Sequence, residues 1–436
     1  MIRKAFVCVI LCLVLVPAVF SLSFKGKSEV ENAFDSIPML NAFYDESDDG
    51  SMAYWDACTV SLLTISSGDP IYSWFGHAAF LVTTPEGRNI TFDYGTFSFD
   101  DEDFFVNFAF GRLWFVCCST YAEYELRGIN ADGRGVSRVV LPLSAAQKKA
   151  VIGFLNSNVR TENRVYLYHH YNDNCATRLR DIIDYATGGQ FKAWAQAQAG
   201  SSFRSQASRA LSRNHFVLWA LDFLQGGNID GQATLWDEMF LPEILEDAVV
   251  RYFGLEKNSV DGSTCPFVPM PEKACSNIGF SIIMGLVLGG IGAALLLLGR
   301  NKAFGIYSGV VEIVFGLLGT LLLFMIVFTN HDVTWMNENI LFVNPVLFVL
   351  AVLSFRRSPW ARCLSRIILC VIGLLVVLKI VLPGVFVQAN WPVIIPMAMF
   401  LIPGAVIPSA ACGKRSGGQC GARSGVLGGK KPEAHK

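Results

Sequence analysis

The chain has 436 residues, of which 52% are hydrophobic and 16% are charged. This length suffices for two or three domains, but soluble proteins carry about 25% charged residues, so the composition excludes a chain that is soluble throughout. The formal net charge of -1 provides no bulk attraction to a polyanion, and we expect no nucleic-acid partner.

Residues 1–21 have the pattern of an export signal peptide. Basic residues precede an apolar run at residues 5–16, and Pro17 interrupts that run. An uncleaved anchor helix would have the same pattern and remains an alternative. Both interpretations deliver the next segment outside the cytoplasm, and we place an exported domain at residues 22–256.

The exported domain is predicted to begin with a β-rich part, from residue 54 to about residue 130. Residues 58–65 and 76–83 are apolar runs typical of strands. The sequence Thr-Pro-Glu-Gly at residues 84–87 predicts a tight turn, after which residues 88–94 return as a third strand.

Helices are predicted to dominate the rest of the exported domain. Ser144 with Gln147 three positions later has the form of a capping box. A second helix is predicted to start near Asn174, and residues 191–256 are predicted to be mostly helical. Residues 257–277, which contain prolines and cysteines, are predicted to be a linker.

Residues 278–411 are predicted to form a transmembrane bundle, followed by a basic cytoplasmic tail at residues 412–436. A helix of about 20 apolar residues spans a bilayer. Five stretches approach that length: residues 278–299, 304–329, 340–355, 367–386 and 391–411. Basic residues follow the first and third stretches and the last, whereas the loops at residues 330–339 and 387–390 contain none. The positive-inside rule therefore places these two loops outside, together with the exported domain.

Two segments combine residue types that suit nucleophilic catalysis. Tyr72, Ser73 and His77 lie where a predicted strand opens, and Cys175 begins a predicted helix directly after Asn174. The N-terminus of a helix favours the thiolate form of a cysteine, and a neighbouring imidazole can carry a proton near neutral pH. A cysteine at a helix start against a histidine on a sheet is the geometry of papain-like enzymes, here with the histidine first.

Asp93 is the candidate for the residue that orients the histidine. If residues 84 and 88 pair across the predicted turn, His77 lies opposite Gly95 and Asp93 points to the same face of the sheet. A carboxylate there would fix the tautomer of the imidazole. A register slip of one residue would instead turn Asp93 away.

Several alternatives remain open from the residues alone. His77 and Cys175 are each compatible with a structural role. His169 and His170 lie near Cys175 in the sequence and compete with His77 as the base. Arg178 can form an ion pair or bind an anionic head group.

The remaining polar and cysteine residues give weaker indications. Glu312 lies inside the second predicted span and is expected to face other helices or to be protonated. His331 lies in an external loop, where it can face the exported domain or anchor the loop at the interface. No cysteine pair has the CxxC spacing of a zinc site, so we expect no metal. Cys265 and Cys275 flank a proline-containing segment and are predicted to form a disulfide.

Four segments of the chain together resemble the Lnb family of bacterial lipoprotein N-acyltransferases. They are residues 66–77, 92–96, 107–112 and 173–181. A further set resembles the membrane half of that family: His331, Asn337, Asn339, Asn344 and Pro345. The first resemblance extends over residues 55–250. This region is similar in turn to the permuted papain-like group that includes lecithin:retinol acyltransferase, in which histidine also precedes cysteine.

The resemblance implies an α+β permuted papain-like exported domain followed by an all-α transmembrane bundle of about five helices in the bacterial inner membrane. It implies that His77 and Cys175 are base and nucleophile. An acyl chain would pass from a phospholipid donor through Cys175 to the N-terminal amine of a diacylated lipoprotein acceptor, without a cofactor. The candidates for substrate binding are Tyr72, Ser73, Asn174, Arg178 and His331. A cell-wall peptidase or amidase of the same group, or a non-catalytic membrane scaffold or sensor, remains an alternative.

Overall fold

The computed structural model describes residues 51–97 and 104–407. It has a sheet-containing N-terminal domain followed by a helical C-terminal region with three long apolar helices. The predicted fold class is therefore confirmed at this level, whereas the papain-like permutation stays a prediction. The predicted signal peptide at residues 1–21 and the predicted tail at residues 412–436 lie outside the described residues.

An antiparallel sheet forms the centre of the N-terminal domain. Within the described ranges its strands are β1 (Thr59–Ile65), β2 (His77–Thr83), β3 (Asn89–Thr96), β4 (Leu113–Tyr121), β5 (Val136–Val140), β6 (Val165–Tyr168) and β7 (Asn258–Ser259). Their order across the sheet is β6-β4-β3-β2-β1-β5-β7. The three strands that the sequence predicts thus form the middle of the sheet, and the short strands β5, β6 and β7 extend its edges.

The hairpin of β2 and β3 has the register that the sequence predicts. Ala79 pairs with Asp93, and the N–H of Thr84 donates to the carbonyl oxygen of Arg88 at 3.0 Å. Gly87 closes the turn with a φ of 80°, a conformation that favours glycine. Because side chains alternate between faces along a strand, this register puts Asp93 on the face of the first residue of β2.

Helices cover the sheet and complete the N-terminal domain. They are α1 (Met52–Ala57), α2 (Phe104–Ala109), α3 (Ala122–Ala131), α4 (Ala145–Asn158), α5 (Thr161–Arg164), α6 (Cys175–Ala186), α7 (Gln190–Gln196), α8 (Phe203–Leu211), α9 (His215–Leu224), α10 (Leu235–Glu238) and α11 (Pro242–Phe253). The predicted capping box of Ser144 and Gln147 is confirmed at the start of α4. Helices α2 and α3 fall inside the stretch predicted to be β-rich. In α3, Glu123 and Glu125 lie in the first turn, where negative charge stabilises a helix.

Helix α6 brings the predicted nucleophile to the sheet. Its buried side chains Leu179, Ile182, Ile183 and Ala186 follow the spacing of one helical face, and the helix packs against β2. This packing fixes the N-terminus of α6 relative to the strand that begins with His77.

The C-terminal region consists of long and short apolar helices. They are α12 (Ile278–Leu297), α13 (Asn301–Phe328), α14 (Val346–Phe355), α15 (Pro359–Val381) and α16 (Trp391–Val406). Among the described residues, α12, α13 and α15 are long and apolar enough to cross a membrane.

Two predicted spans need correction. The stretch from residue 340 begins with a short 3-10 helix, Glu338–Leu341, so α14 is shorter than expected. Helix α15 starts earlier than residue 367, because Ser358 caps it.

Two acidic side chains of the C-terminal region are paired inside the protein. The hydroxyl of Ser354 in α14 donates to Glu312 of α13 at 3.0 Å, so Glu312 faces another helix as predicted. Lys379 of α15 forms a buried ion pair with Glu338 at 2.5 Å. Removing one partner of a buried pair costs about 3–5 kcal/mol, because the other charge is left unpaired.

Loops between the C-terminal helices bind the N-terminal domain through side-chain amides. Asn337 donates to the carbonyl oxygen of Phe223 at 2.9 Å, and Gln388 donates to the carbonyl oxygen of Gln225 at 2.9 Å. The acceptors lie at the C-terminal end of α9 and in the residue that follows it. These contacts fix the N-terminal domain against the membrane helices.

The predicted disulfide between Cys265 and Cys275 is wrong, because both are free thiols in the structure. The segment that contains these cysteines is held near each of them by a different helix. The N–H of Thr264 donates to Asn130 at 3.0 Å, and the N–H of Cys275 donates to Ser208 at 2.9 Å. Helix α3 therefore positions the backbone next to Cys265, and α8 positions the backbone of Cys275.

Candidate active site

His77 is the first residue of β2, and the chain reaches it through a constrained turn. Residues Ile71–Ser73 form a short 3-10 helix, and Gly76 has a φ of 75°, which favours glycine. Gly95 of β3 lies directly against the imidazole, since a Cβ atom there would be 2.5 Å from His77 Cε1. The position of the ring therefore depends on a glycine in the neighbouring strand.

Asp93 binds the imidazole from that neighbouring strand. His77 Nε2 lies 2.8 Å from Asp93 Oδ1. The carboxylate also accepts the N–H of Gly95 at 2.7 Å and the hydroxyl of Thr96 at 3.1 Å. Burial raises the pKa of Asp93, but the charge of His77 and these hydrogen bonds outweigh burial and lower it below its ordinary value. Asp93 is thus held as a carboxylate, aimed at His77.

Cys175 is the first residue of α6, and Asn174 caps this helix. Asn174 Oδ1 accepts the N–H of Thr177 at 2.9 Å. Its Nδ2 donates to the carbonyl oxygens of His170 at 2.7 Å and Phe240 at 2.9 Å. Asn174 is buried and uses both polar atoms of its side chain in these bonds. Its contacts therefore fix the turn before Cys175.

Cys175 and His77 interact directly. Burial alone would lower the pKa of His77, but the charges and hydrogen bonds of Asp93 and Cys175 reverse this effect and raise the pKa well above 6.5. Because Asp93 occupies Nε2, Nδ1 is the ring nitrogen left for the thiol. An imidazole between a carboxylate and a thiol can hold a proton and pass it to a reacting group.

The two competing histidines have other partners. His169 Nε2 lies 2.9 Å from Asp332 in the loop after α13, and His169 Nδ1 accepts the N–H of Asn172 at 3.0 Å. His170 packs edge-on against Phe75, with the ring centroids 4.4 Å apart. Burial, and then the charge of His169, lower the pKa of His170 to about 4. His77 is thus better placed than either to exchange a proton with Cys175.

The turn residues predicted to bind substrate differ in exposure. Tyr72 is exposed, and its ring packs edge-on against Phe97 with a centroid distance of 5.9 Å. Ser73 is buried, and its hydroxyl donates to the carbonyl oxygen of Pro70 at 2.7 Å. Tyr72 therefore lies at the protein surface, whereas Ser73 holds the turn.

Arg178 and His331 also have protein partners. Arg178 donates to Asp173 at 2.8 Å and lies over the ring of Tyr166, 4.1 Å from its centroid. It thus forms the ion pair that the sequence left as one alternative. His331 donates to the carbonyl oxygen of Phe108 at 2.9 Å. It therefore holds α2.

Glu125 joins this site without any sequence signal. A carboxylate oxygen of Glu125 in α3, a ring nitrogen of His77 and a carboxylate oxygen of Asp93 all lie within 4.8 Å of one another. Burial, and then the charge of Asp93, raise the pKa of Glu125 to about 7. Three such groups resemble the ligand set of a divalent cation. A cation here would have to displace the hydrogen bond between His77 and Asp93, because His77 Nε2 already faces the carboxylate.

Three further cysteines of the N-terminal domain lie in its interior. Cys58, Cys117 and Cys118 are buried, and burial raises the pKa of each thiol. A buried thiol with a raised pKa is a poor nucleophile. Cys175 is half-buried at a helix start and is the better candidate for covalent chemistry.

Family models match both parts of the chain. The Lnb N-terminal periplasmic domain matches residues 51–211, and the Lnb transmembrane domain matches residues 280–411. Comparison with curated proteins and with solved structures gave no match. The first matched region includes His77, Asp93 and Cys175, and the second includes most of the C-terminal helices. The chain is a membrane protein with a periplasmic-type domain, and it belongs to the Lnb family.

Proposed function

We propose that this protein is a membrane acyltransferase that uses Cys175 as its nucleophile. An acyl chain would move from a phospholipid through a thioester to the N-terminal amine of a diacylated lipoprotein. The observation that carries the proposal is the series of contacts from Asp93 through His77 to Cys175 at the start of α6. The resemblance to the Lnb lipoprotein N-acyltransferases supports the choice of acceptor.

The first half-reaction would acylate the cysteine. The Cys175 thiolate attacks the ester carbonyl carbon, a C–S bond forms, and the ester C–O bond breaks. The leaving lysophospholipid oxygen takes the proton from His77. The raised pKa of His77 supports this step, because the imidazole then carries a proton before the reaction begins. The first N–H groups of a helix lack intrahelical acceptors, so the N–H of Cys175 can donate to the oxyanion.

The second half-reaction would transfer the acyl chain to the acceptor. The neutral amine attacks the thioester carbon, gives a proton to His77 Nδ1, and expels the Cys175 thiolate as the C–S bond breaks. An amide forms, and the thiolate–imidazolium pair is restored. Asp93 keeps the ring oriented through both proton transfers. Water must be excluded while the thioester exists, and contact with the membrane surface favours that exclusion.

The proposed setting is the outer face of a bacterial inner membrane, with several membrane passes. We propose a signal peptide at residues 1–21, a permuted papain-like domain at 22–256, a linker at 257–277, a membrane bundle at 278–411 and a cytoplasmic tail at 412–436. The absence of basic residues in the two outer loops supports this topology. Protease added to intact spheroplasts should remove the N-terminal domain and spare a C-terminal tag. Loss of the tag would overturn the orientation.

Mass spectrometry of lipoprotein N-termini tests the proposed reaction in cells. Cells that express the protein should contain triacylated lipoproteins, and cells without it should contain diacylated ones. A Cys175→Ala variant that accumulates in the membrane should leave the lipoproteins diacylated. Unchanged lipoproteins together with altered cell-wall peptides would indicate a peptidase or amidase, and no change in either would indicate a scaffold.

A further inference from the structure

Helix α2 exposes large aromatic side chains on one side. Phe105 is 70% exposed and Phe108 is 52% exposed, whereas Asn107 between them is buried. Two exposed phenylalanines within a single short helix form an apolar patch, and such patches mark contact with another apolar surface. The catalytic steps of the proposed reaction do not involve this patch.

The patch lies at the outer end of a membrane helix. The N–H of Asn330, two residues after the end of α13, donates to the carbonyl oxygen of Phe110 at 2.9 Å. The ring of Phe110 packs edge-on against Phe324 of α13, with centroids 5.5 Å apart. His331 donates to the carbonyl oxygen of Phe108. These contacts fix α2 at the level where α13 leaves the membrane, and aromatic side chains are favoured at that interface.

Aromatic rings continue from α2 towards the nucleophile. Phe104 stacks with Phe97 at a centroid distance of 5.9 Å, and Phe97 stacks with Phe115 at 4.9 Å. Phe115 stacks with Tyr168 at 4.2 Å. The hydroxyl of Tyr168 lies 3.5 Å from His170 Nδ1, and the carbonyl oxygen of His170 accepts from Asn174, the residue before Cys175, at 2.7 Å. We call Phe104, Phe97, Phe115 and Tyr168 the aromatic wall.

We propose that the patch on α2 and the aromatic wall together bind the acyl chain of a membrane phospholipid and guide its ester to Cys175. This inference rests on the proposed function and assigns the donor site. An acyl chain that leaves the bilayer needs continuous apolar surface, because each exposed methylene group is unfavourable in water. The patch provides that surface at the membrane, and the wall provides it up to the nucleophile. Phospholipid is the occupant because the patch opens where α13 meets the outer leaflet.

Photo-crosslinking tests this site without catalytic turnover. The full-length Cys175→Ala protein is placed in phosphatidylethanolamine–phosphatidylglycerol vesicles that contain a phospholipid with a diazirine in its acyl chain. After irradiation, we expect crosslinked peptides to include residues of α2 and of the aromatic wall. Crosslinks confined to the membrane helices α12–α16 would overturn the proposal.

Matched substitutions on the exposed patch sharpen the test. Phe105→Ser with Phe108→Ser should lower crosslinking to the aromatic wall by roughly fivefold or more, and Phe105→Trp with Phe108→Trp should restore it. Phe154→Ser is the control, because Phe154 is an exposed phenylalanine on α4, outside the patch and the wall. Equal crosslinking in the Ser pair and the wild type, or failure of the Trp pair to restore it, would overturn the proposal.

A separate measurement distinguishes this inference from the proposed function. Thioester formation on wild-type Cys175 with phospholipid tests the reaction itself. A thioester that forms while the wall stays unlabelled would refute the acyl path and leave the reaction intact. Absence of the thioester would refute the proposed function, and with it the inference that rests on it.

Discussion

Replacing Gly95 with alanine tests whether the position of the His77 ring controls the reaction. The added Cβ atom would lie 2.5 Å from His77 Cε1 and 3.2 Å from both His77 Nδ1 and Asp93 Oδ1. Carbon atoms in contact are about 3.5–4.0 Å apart, so the ring must move by roughly 1 Å. A displacement of that size lowers a rate by on the order of 100-fold. This corresponds to about 2.7 kcal/mol of lost transition-state stabilisation.

The assay compares the rate of thioester formation in purified Gly95→Ala and wild-type protein. Gly153→Ala is the matched control, because a Cβ atom at Gly153 in α4 meets no atom within 4 Å. We expect the rate to fall only in Gly95→Ala, while both variants accumulate in the membrane. A Gly95→Ala rate within about threefold of wild type would refute the argument that ring position limits the reaction.

Further predictions concern the same contacts. Asp93→Asn should lower the single-turnover rate by on the order of 100-fold or more, because an amide no longer stabilises a protonated His77; a near-normal rate would contradict this role. The Tm difference between wild type and His77→Gln should be largest below pH 6.5 and shrink at higher pH. The pKa of His77 is higher in the folded protein than in the unfolded chain, so protonated His77 stabilises the fold at low pH, and this stabilisation is lost as the pH rises through the folded pKa. Thermal unfolding across that range checks the sign, and a difference that grows with pH would contradict it. Dialysis against EDTA should leave the rate unchanged, and a loss that zinc restores would show that a cation occupies the site of His77, Asp93 and Glu125.

The middle of the sheet was predictable because its signals are local. The turn at residues 84–87 sets the pairing of β2 with β3, and that register determines which face Asp93 occupies. Asn174 marked the start of α6 because its short side chain caps the helix. These local rules bring Asp93 to His77 and put Cys175 at a helix start.

Other parts of the site depend on contacts that are distant in sequence. Glu125 reaches His77 only because α3 packs against β3 and β4, and no local pattern encodes that packing. His331 and Asp332 contact Phe108 and His169 across the junction between the two parts of the chain. The short strands β5, β6 and β7 lack a clear alternation, so pairing with the completed sheet defines them.

Intact-mass analysis of purified protein with phospholipid vesicles tests the central claim most directly. Wild-type protein should gain the mass of one acyl group on Cys175, and neutral hydroxylamine should release it as a thioester. Cys175→Ala should gain none. Acylation that maps to Cys58, Cys117 or Cys118, or acyl transfer that persists in Cys175→Ala, would contradict the account.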